Sequence, residues 1–161
     1  MLPVIFSPRY EVDFKHHVFP TRKYRLVKEA LEEQQLIEPG SVEEPQEASD
    51  DDLLRAHEPE YLDDLKHCRW TTRTSRSELP ITPEIVNKFR LASGGSILAA
   101  RRALEHGGAY HCGGGFHHAF PDHAEGFCYL NDLAVAIRVL LHEDRVQRPI
   151  VVDCDLHQGC L

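Results

Sequence analysis

The chain has 161 residues with a formal net charge of −8 and a 42% hydrophobic share, which suits one globular domain with a real core. The acidic balance argues against generic nucleic-acid binding, which needs a basic footprint, and leaves a basic partner compatible. No run is long enough to cross a bilayer, and the start, Met1-Leu2-Pro3-Val4, lacks the basic region and long apolar stretch of a signal peptide. The five cysteines (Cys68, Cys112, Cys128, Cys154, Cys160) form no CxxC pair, and three of them lie in or beside expected core segments. Reduced, partly buried thiols of an intracellular protein are expected, cytoplasmic with a nuclear location left open.

In chain order, Val4-Ile5-Phe6 reads as a short strand closed by Ser7-Pro8. Tyr24, Val27 and Leu31 recur near helical spacing within a segment from about Thr21 to Ile37 that Pro39-Gly40 ends. Ser49 and Asp52 resemble a capping box for a short helix through Leu53-Leu54, and Pro59 opens a turn carrying Tyr61, Leu62 and Leu65. Trp70 to Leu79 is polar and reads as a loop. Thr82-Pro83 is an N-cap and first helical residue, and the helix it starts runs past Phe89 and Ile97 to Leu104 before Gly107-Gly108. Gly94-Gly95 inside that helix costs about 1 kcal/mol per glycine against alanine, which implies close packing against a neighbour.

A strand over Ala109–Cys112, a helix from about Asp132 to His142 and a strand from Ile150 to Asp155 follow. This alternation points to an α/β fold with a parallel sheet, in which ligands bind beyond the carboxyl ends of the strands. Two chemical runs sit at such ends. One is Gly113-Gly114-Gly115-Phe116-His117-His118, two adjacent imidazoles after a glycine turn. The other is Val151-Val152-Asp153-Cys154-Asp155-Leu156-His157-Gln158-Gly159. On a strand, Asp153, Asp155 and His157 project to one face. Carboxylate and imidazole sharing a face suit a divalent metal such as zinc, and a nearby histidine pair suits proton transfer. The plainer alternatives are a solvated His-His pair and acids that meet water or cap a turn. Buried acids beside valines are costly unless paired or metal-bound, which favours the functional reading. His16-His17, His106, His111, His123 and His142 carry no such pattern and read as ordinary surface or loop residues. A cluster of Cys112, Cys128 and Cys154 lacks zinc-ligand spacing.

These runs, together with Glu125-Gly126-Phe127-Cys128-Tyr129-Leu130-Asn131-Asp132, resemble the consecutive signatures of the histone deacetylase family, within the arginase–deacetylase superfamily. Ser7-Pro8-Arg9-Tyr10, His57-Glu58-Pro59-Glu60-Tyr61-Leu62 and Ser93-Gly94-Gly95 fit the same order. Phe19-Pro20-Thr21-Arg22-Lys23-Tyr24 and His157-Gln158-Gly159 are most similar to class IV and bacterial members. The resemblance runs from Val4 to Gly159.

The resemblance implies a zinc-dependent deacetylase of acetyl-lysine or a similar N-acyl amine, with Asp155 and His157 as zinc ligands. His118 would be the general base toward the zinc-bound water, and His117 an electrostatic catalyst or proton donor to the leaving amine. Asp153 would orient His117 and help form a structural potassium site with backbone carbonyls near Asp155 and His157. Gly126, Phe127 and Cys128 would line the substrate tunnel. It implies also a third ligand, an aspartate, and a carbonyl-polarising tyrosine that have no counterpart here, and an Asn or Asp where Cys160 stands. The fold expected is therefore the N-terminal part of a three-layer α/β/α arginase–deacetylase domain over residues 1–161, truncated after about four strands. Such a chain is expected to be inactive alone, with a missing half or partner chain completing it. The alternatives are a non-catalytic fragment that binds metal weakly or docks on a partner, and a relative acting on acetylpolyamines or linked to acetoin use.

Overall fold

The computed structural model describes residues 2–14, 17–38 and 40–160, so His16 of the first histidine pair and Pro39 of the expected helix stop lie outside the described residues. Val4 and Ile5 are both buried and form β1 (Val4–Ile5), the central strand of a three-stranded parallel sheet. β2 (Val42–Glu43) lies on one side, with Val4 opposite Val42, and β3 (Tyr110–His111) on the other, with Val4 opposite Tyr110. Cys112 N–H donates to the Ile5 carbonyl at 2.8 Å and Phe6 N–H to the Glu43 carbonyl at 3.1 Å, extending the ladder past the strands. β2 was not expected from the sequence, since Val42 is the sole apolar residue in an acidic stretch.

Five α-helices are formed among the described residues, of which the longest packs directly on β1 and β3. α1 (Lys23–Glu33) is shorter than the expected segment. It closes where Gln35 takes a left-handed backbone (φ 57°) and Leu36 N–H returns to the Leu31 carbonyl at 2.9 Å, before the proline is reached. α2 (Asp50–Leu53) carries the anticipated capping box, with Ser49 and Asp52 each accepting the other's backbone N–H. α3 (Pro59–Lys66) buries Tyr61 and Leu65. The polar loop after it contains a 3-10 turn over Ser75–Ser77.

α4 (Pro83–His106) is the spine of the molecule. Thr82 Oγ1 accepts from Ile85 N–H, Pro83 opens the helix and Gly107 ends it at φ 82°. Its two central glycines are needed: a Cβ on Gly94 would stand 1.8 Å from the Gln46 carbonyl oxygen, and one on Gly95 would stand 2.4 Å from the Tyr10 hydroxyl. α5 (Asp132–His142) runs against α4, capped by the Asn131 side chain, and buries Val135, Ala136, Val139 and Leu140. Phe89, Leu91, Phe116, Tyr129 and Leu130 fill the space between.

The expected fourth strand is not formed. Residues 150–155 pair with no strand among the described residues, and Ile150 and Val152 are 86% and 78% exposed. An extended segment acquires strand character only from a ladder partner, and the sheet's outer strand β3 does not reach it. Cys154, expected in or beside the core, is exposed with it, while Cys112 and Cys128 are buried and all five thiols are free. No helix among the described residues is long and apolar enough to cross a membrane.

Candidate active site

The glycine run after β3 carries the histidine pair into a cavity of about 530 Å³. Two of the run's glycines are required by neighbours and the third by its backbone angle. A Cβ on Gly113 would meet the Tyr10 ring at 2.3 Å, and one on Gly114 would meet Asp132 Oδ2 at 2.4 Å. Gly115 stands at φ 92°. Asp132, fully buried at the start of α5, accepts the N–H groups of Gly115 (3.0 Å) and Phe116 (2.6 Å) and so fixes the turn. Burial pushes its carboxyl up, against the pull of these donors and of the Ser96 hydroxyl.

His111 belongs to this support and is not the ordinary loop residue expected. Ser96 Oγ gives its proton to Asp132, so it accepts from His111 Nδ1–H at 3.1 Å; His111 Nε2 then accepts from the Tyr10 hydroxyl at 2.8 Å. The neutral tautomer satisfies every partner, and burial pushes the imidazole down to about 4. His57, which is buried, donates from Nδ1 to the Phe120 carbonyl (3.0 Å) and accepts the Asn131 N–H at Nε2 (3.1 Å). Burial holds it at about 4 also. Neither role is visible in spacing; the partners are remote in sequence.

His117 is buried, and its Nδ1 meets Asp153 Oδ2 at 2.7 Å. His118 lies beside it, ring centroids 4.2 Å apart, and faces His157 at 6.0 Å. Burial lowers the His118 pKa, helped by the His117 and His157 imidazoles and opposed by Asp155 and Asp153. Asp155 and His157 line the same cavity, with His157 Nδ1 3.2 Å from Asp155 Oδ1.

The three residues of the second run thus converge on the histidine pair, though not as buried side chains on one strand face. Asp155 N–H donates to Asp153 Oδ1 at 2.9 Å and His157 N–H to Asp155 Oδ1 at 2.8 Å. Both carboxylates cap the turn of an exposed segment, the plainer alternative for these acids. Those backbone donors are the first cause of the low pKa of each acid; the His117 hydrogen bond adds to that of Asp153. Cys160 N–H donates to the His117 carbonyl at 2.7 Å, so the residue supports His117 through its backbone, and its thiol makes no hydrogen bond to His118 among the described residues.

Gly126, Phe127 and Cys128 line the cavity. A Cβ on Gly126 (φ 47°) would come within 2.9 Å of the His118 ring. Phe127 holds a left-handed backbone (φ 65°) because its N–H is fixed on the Ser77 carbonyl at 3.1 Å. The buried Cys128 thiol is pushed up to about 12 and is inert at neutral pH. Phe19, Tyr24 and Phe116 complete an aromatic wall, with Phe19 6.3 Å from both Phe116 and Phe127. Glu78, left-handed at φ 63° and exposed, stands at the mouth with no ion pair among the described residues. It was not anticipated; the polar loop around it gives no spacing signal.

The donor set for a metal is incomplete. Asp155 and His157 are two candidate ligands, and the described residues hold no group of three or more His, Cys, Asp or Glu side chains able to grip an ion. Catalytic zinc ordinarily takes three protein ligands.

A histone deacetylase domain profile matches residues 17–159. An uncharacterized protein of Picosynechococcus is 40% identical over 161 residues, spanning 98% of this chain and 53% of that protein. Histone deacetylase 2 of Arabidopsis thaliana is 33% identical over 97% of this chain and 43% of its own length. The acetoin utilization protein AcuC of Staphylococcus aureus is 29% identical over 89% of this chain. The structure of a histone deacetylase homolog complexed with the inhibitor SAHA superposes with a TM-score of 0.70 at 26% identity, covering 88% of this chain and 41% of that one. The chain spans about half the length of the curated relatives it matches. With its three-stranded parallel sheet forming part of the arginase–deacetylase fold, the chain belongs to the histone deacetylase family.

Proposed function

We propose that this chain supplies one part of the active site of a zinc-dependent deacetylase that hydrolyses acetyl-lysine or a similar N-acyl amine. The hydrogen bond between His117 Nδ1 and Asp153, with the His118 ring tilted against His117, edge-on to His157 and sharing the cavity with Asp155, carries the assignment. Asp155 and His157 would hold zinc, which would polarise the amide carbonyl and acidify water. Among the described residues no third donor joins these two, so no reaction step of the isolated chain is routed through the metal. Asp153 would also contribute to a structural potassium site.

The protein groups divide the proton handling. Asp153 accepts from His117 Nδ1–H, which orients the ring and leaves Nε2 as the free nitrogen. His117 is therefore suited to carry a proton to the leaving amine. His118 makes no hydrogen bond to a carboxylate among the described residues and is held below its ordinary pKa, first by burial, so it is suited to accept a proton from attacking water. Phe127, Phe19 and Tyr24 would flank the aliphatic stem of the substrate and exclude solvent.

Glu78 favours a second substrate class at the same site. An unpaired carboxylate at the cavity mouth suits a substrate that keeps a remote ammonium, as an acetylpolyamine does. The deciding experiment joins residues 1–159 to the remaining part of the Picosynechococcus relative and assays an acetyl-lysine peptide and N-acetylputrescine with zinc. Hydrolysis that chelation and H118A each abolish is expected, with the isolated chain inactive. A chimera that folds, binds zinc and hydrolyses neither substrate overturns the proposal.

A further inference from the structure

Lys88 on α4 is 1% exposed, and its Nζ has no hydrogen-bond partner among the described residues. A buried ammonium without an acceptor is costly, and an apolar side chain would fill the same space without that cost. What surrounds Lys88 is specific. Its Nζ lies 3.6 Å from the centroid of the Phe116 ring, 4.3 Å from Phe89 and 5.3 Å from Tyr24, with Phe14 and Phe19 each at 6.0 Å. Cation–π attraction is strongest in such a desolvated setting. Burial pulls the Lys88 ammonium down to about 7, and the carboxylate that works against this and favours its charged form is Asp132, the fully buried acid that receives the Phe116 N–H at 2.6 Å.

Phe116 is thus held at two points, its ring by Lys88 and its backbone by Asp132, and the next residue is His117. Phe116 also packs edge-on against Phe89 at 4.7 Å, which limits ring rotation on the side away from the cavity. A glycine turn is pliable by composition, so the one bulky residue in it decides where the following imidazoles stand.

We propose that Lys88 is a positioning residue for the His117–His118 pair, clamping the Phe116 ring from inside the core while Asp132 clamps the Phe116 backbone. It rests on the assignment of that pair as the proton-handling groups. Lys88 touches no substrate: Phe19, Tyr24 and Phe116 stand between it and the cavity.

The test is amide hydrogen exchange of the chain with its His117 imidazole proton observed in parallel, neither of which requires turnover. Lys88→Met keeps the unbranched stem and removes the charge. Exchange at Gly115 and Phe116 is expected to quicken roughly tenfold, the equivalent of about 1.4 kcal/mol of local order, with Val139 and Leu140 on α5 unchanged. The His117 Nδ1 proton signal is expected to broaden. Unchanged exchange at Phe116 would make Lys88 a space-filler, and uniform quickening at every amide would make it a general stabiliser; either result overturns the proposal. Phe116→Leu keeps the N–H to Asp132 and removes the ring, and it decides the matter alone if K88M does not fold. Local quickening there supports the clamp, and silence refutes it. An inactive chimera with quickened Phe116 exchange in K88M would sink the deacetylase assignment and leave the clamp standing.

Discussion

Acid should unfold this protein at a pH where most carboxylates are still ionised. His57, buried, and His111, partly buried, are held as neutral rings, each with Nδ1–H donating and Nε2 accepting, and desolvation pushes each down to about 4 from an ordinary 6.5. A folded pKa below the unfolded one means that the native state binds its proton late. The stability is complete above pH 6.5 and is lost as the pH falls toward 4. Linkage gives about 2 kcal/mol per histidine at pH 5, hence about 4 kcal/mol for the pair. That is an upper value, because the raised Asp132 carboxyl works in the opposite direction. Against a typical stability of about 5–15 kcal/mol, the loss is large. Thermal unfolding followed by circular dichroism should show the midpoint about 8–16 °C lower at pH 5 than at pH 7.5. H111N, whose amide can still donate and accept, should remove about half of that pH dependence. A flat midpoint between these pH values, or imidazole titrations of His57 and His111 near 6.5, would refute the reasoning.

Three further outcomes follow from the packing and the site. Gly94→Ala should destabilise by about 3 kcal/mol or more despite the better helix propensity, because the added carbon meets the Gln46 carbonyl at 1.8 Å; urea titration measures it. Calorimetry of the isolated chain with zinc should give weak, one-to-one binding that D155A or H157A each weakens by roughly tenfold or more, while C154S leaves it unchanged. Gly126→Val, which drives a side chain into the His118 ring and strains φ 47°, should lower chimera turnover by about tenfold or more while C68S has no effect.

Much of this was legible in the sequence because local chemistry determined it. Thr82-Pro83 and Gly107 bracket α4, Ser49 and Asp52 make their capping box, and Asn131-Asp132 opens α5 where its apolar period begins. The glycine run announced its histidines, since only glycine lets the Tyr10 ring and Asp132 approach so closely. The Ile150–Asp155 strand failed for the opposite reason: its apolar alternation was correct, but pairing is a property of two segments, and one sequence window shows only one. His111, Ser96 and Lys88 were missed because each is defined by partners far along the chain. A histidine in β3 and a lysine in an amphipathic helix look alike whether they face water or Asp132.

The hydrogen bond from Phe127 N–H to the Ser77 carbonyl joins two parts of the cavity that look separate in the chain. Tyr129 adds a second tie, its hydroxyl donating to the Leu79 carbonyl at 2.7 Å. Rim loop and wall therefore move as one body. Altering the backbone at Ser77 to Leu79 would reset the width between Phe127 and its facing rings, whatever side chains are chosen. Diversification for new substrates has freedom elsewhere, at the exposed Trp70 and Thr72, where a new side chain leaves the wall behind it undisturbed. A library built on those positions would sample specificity; one built on Ser77 would mostly sample misfolded cavities.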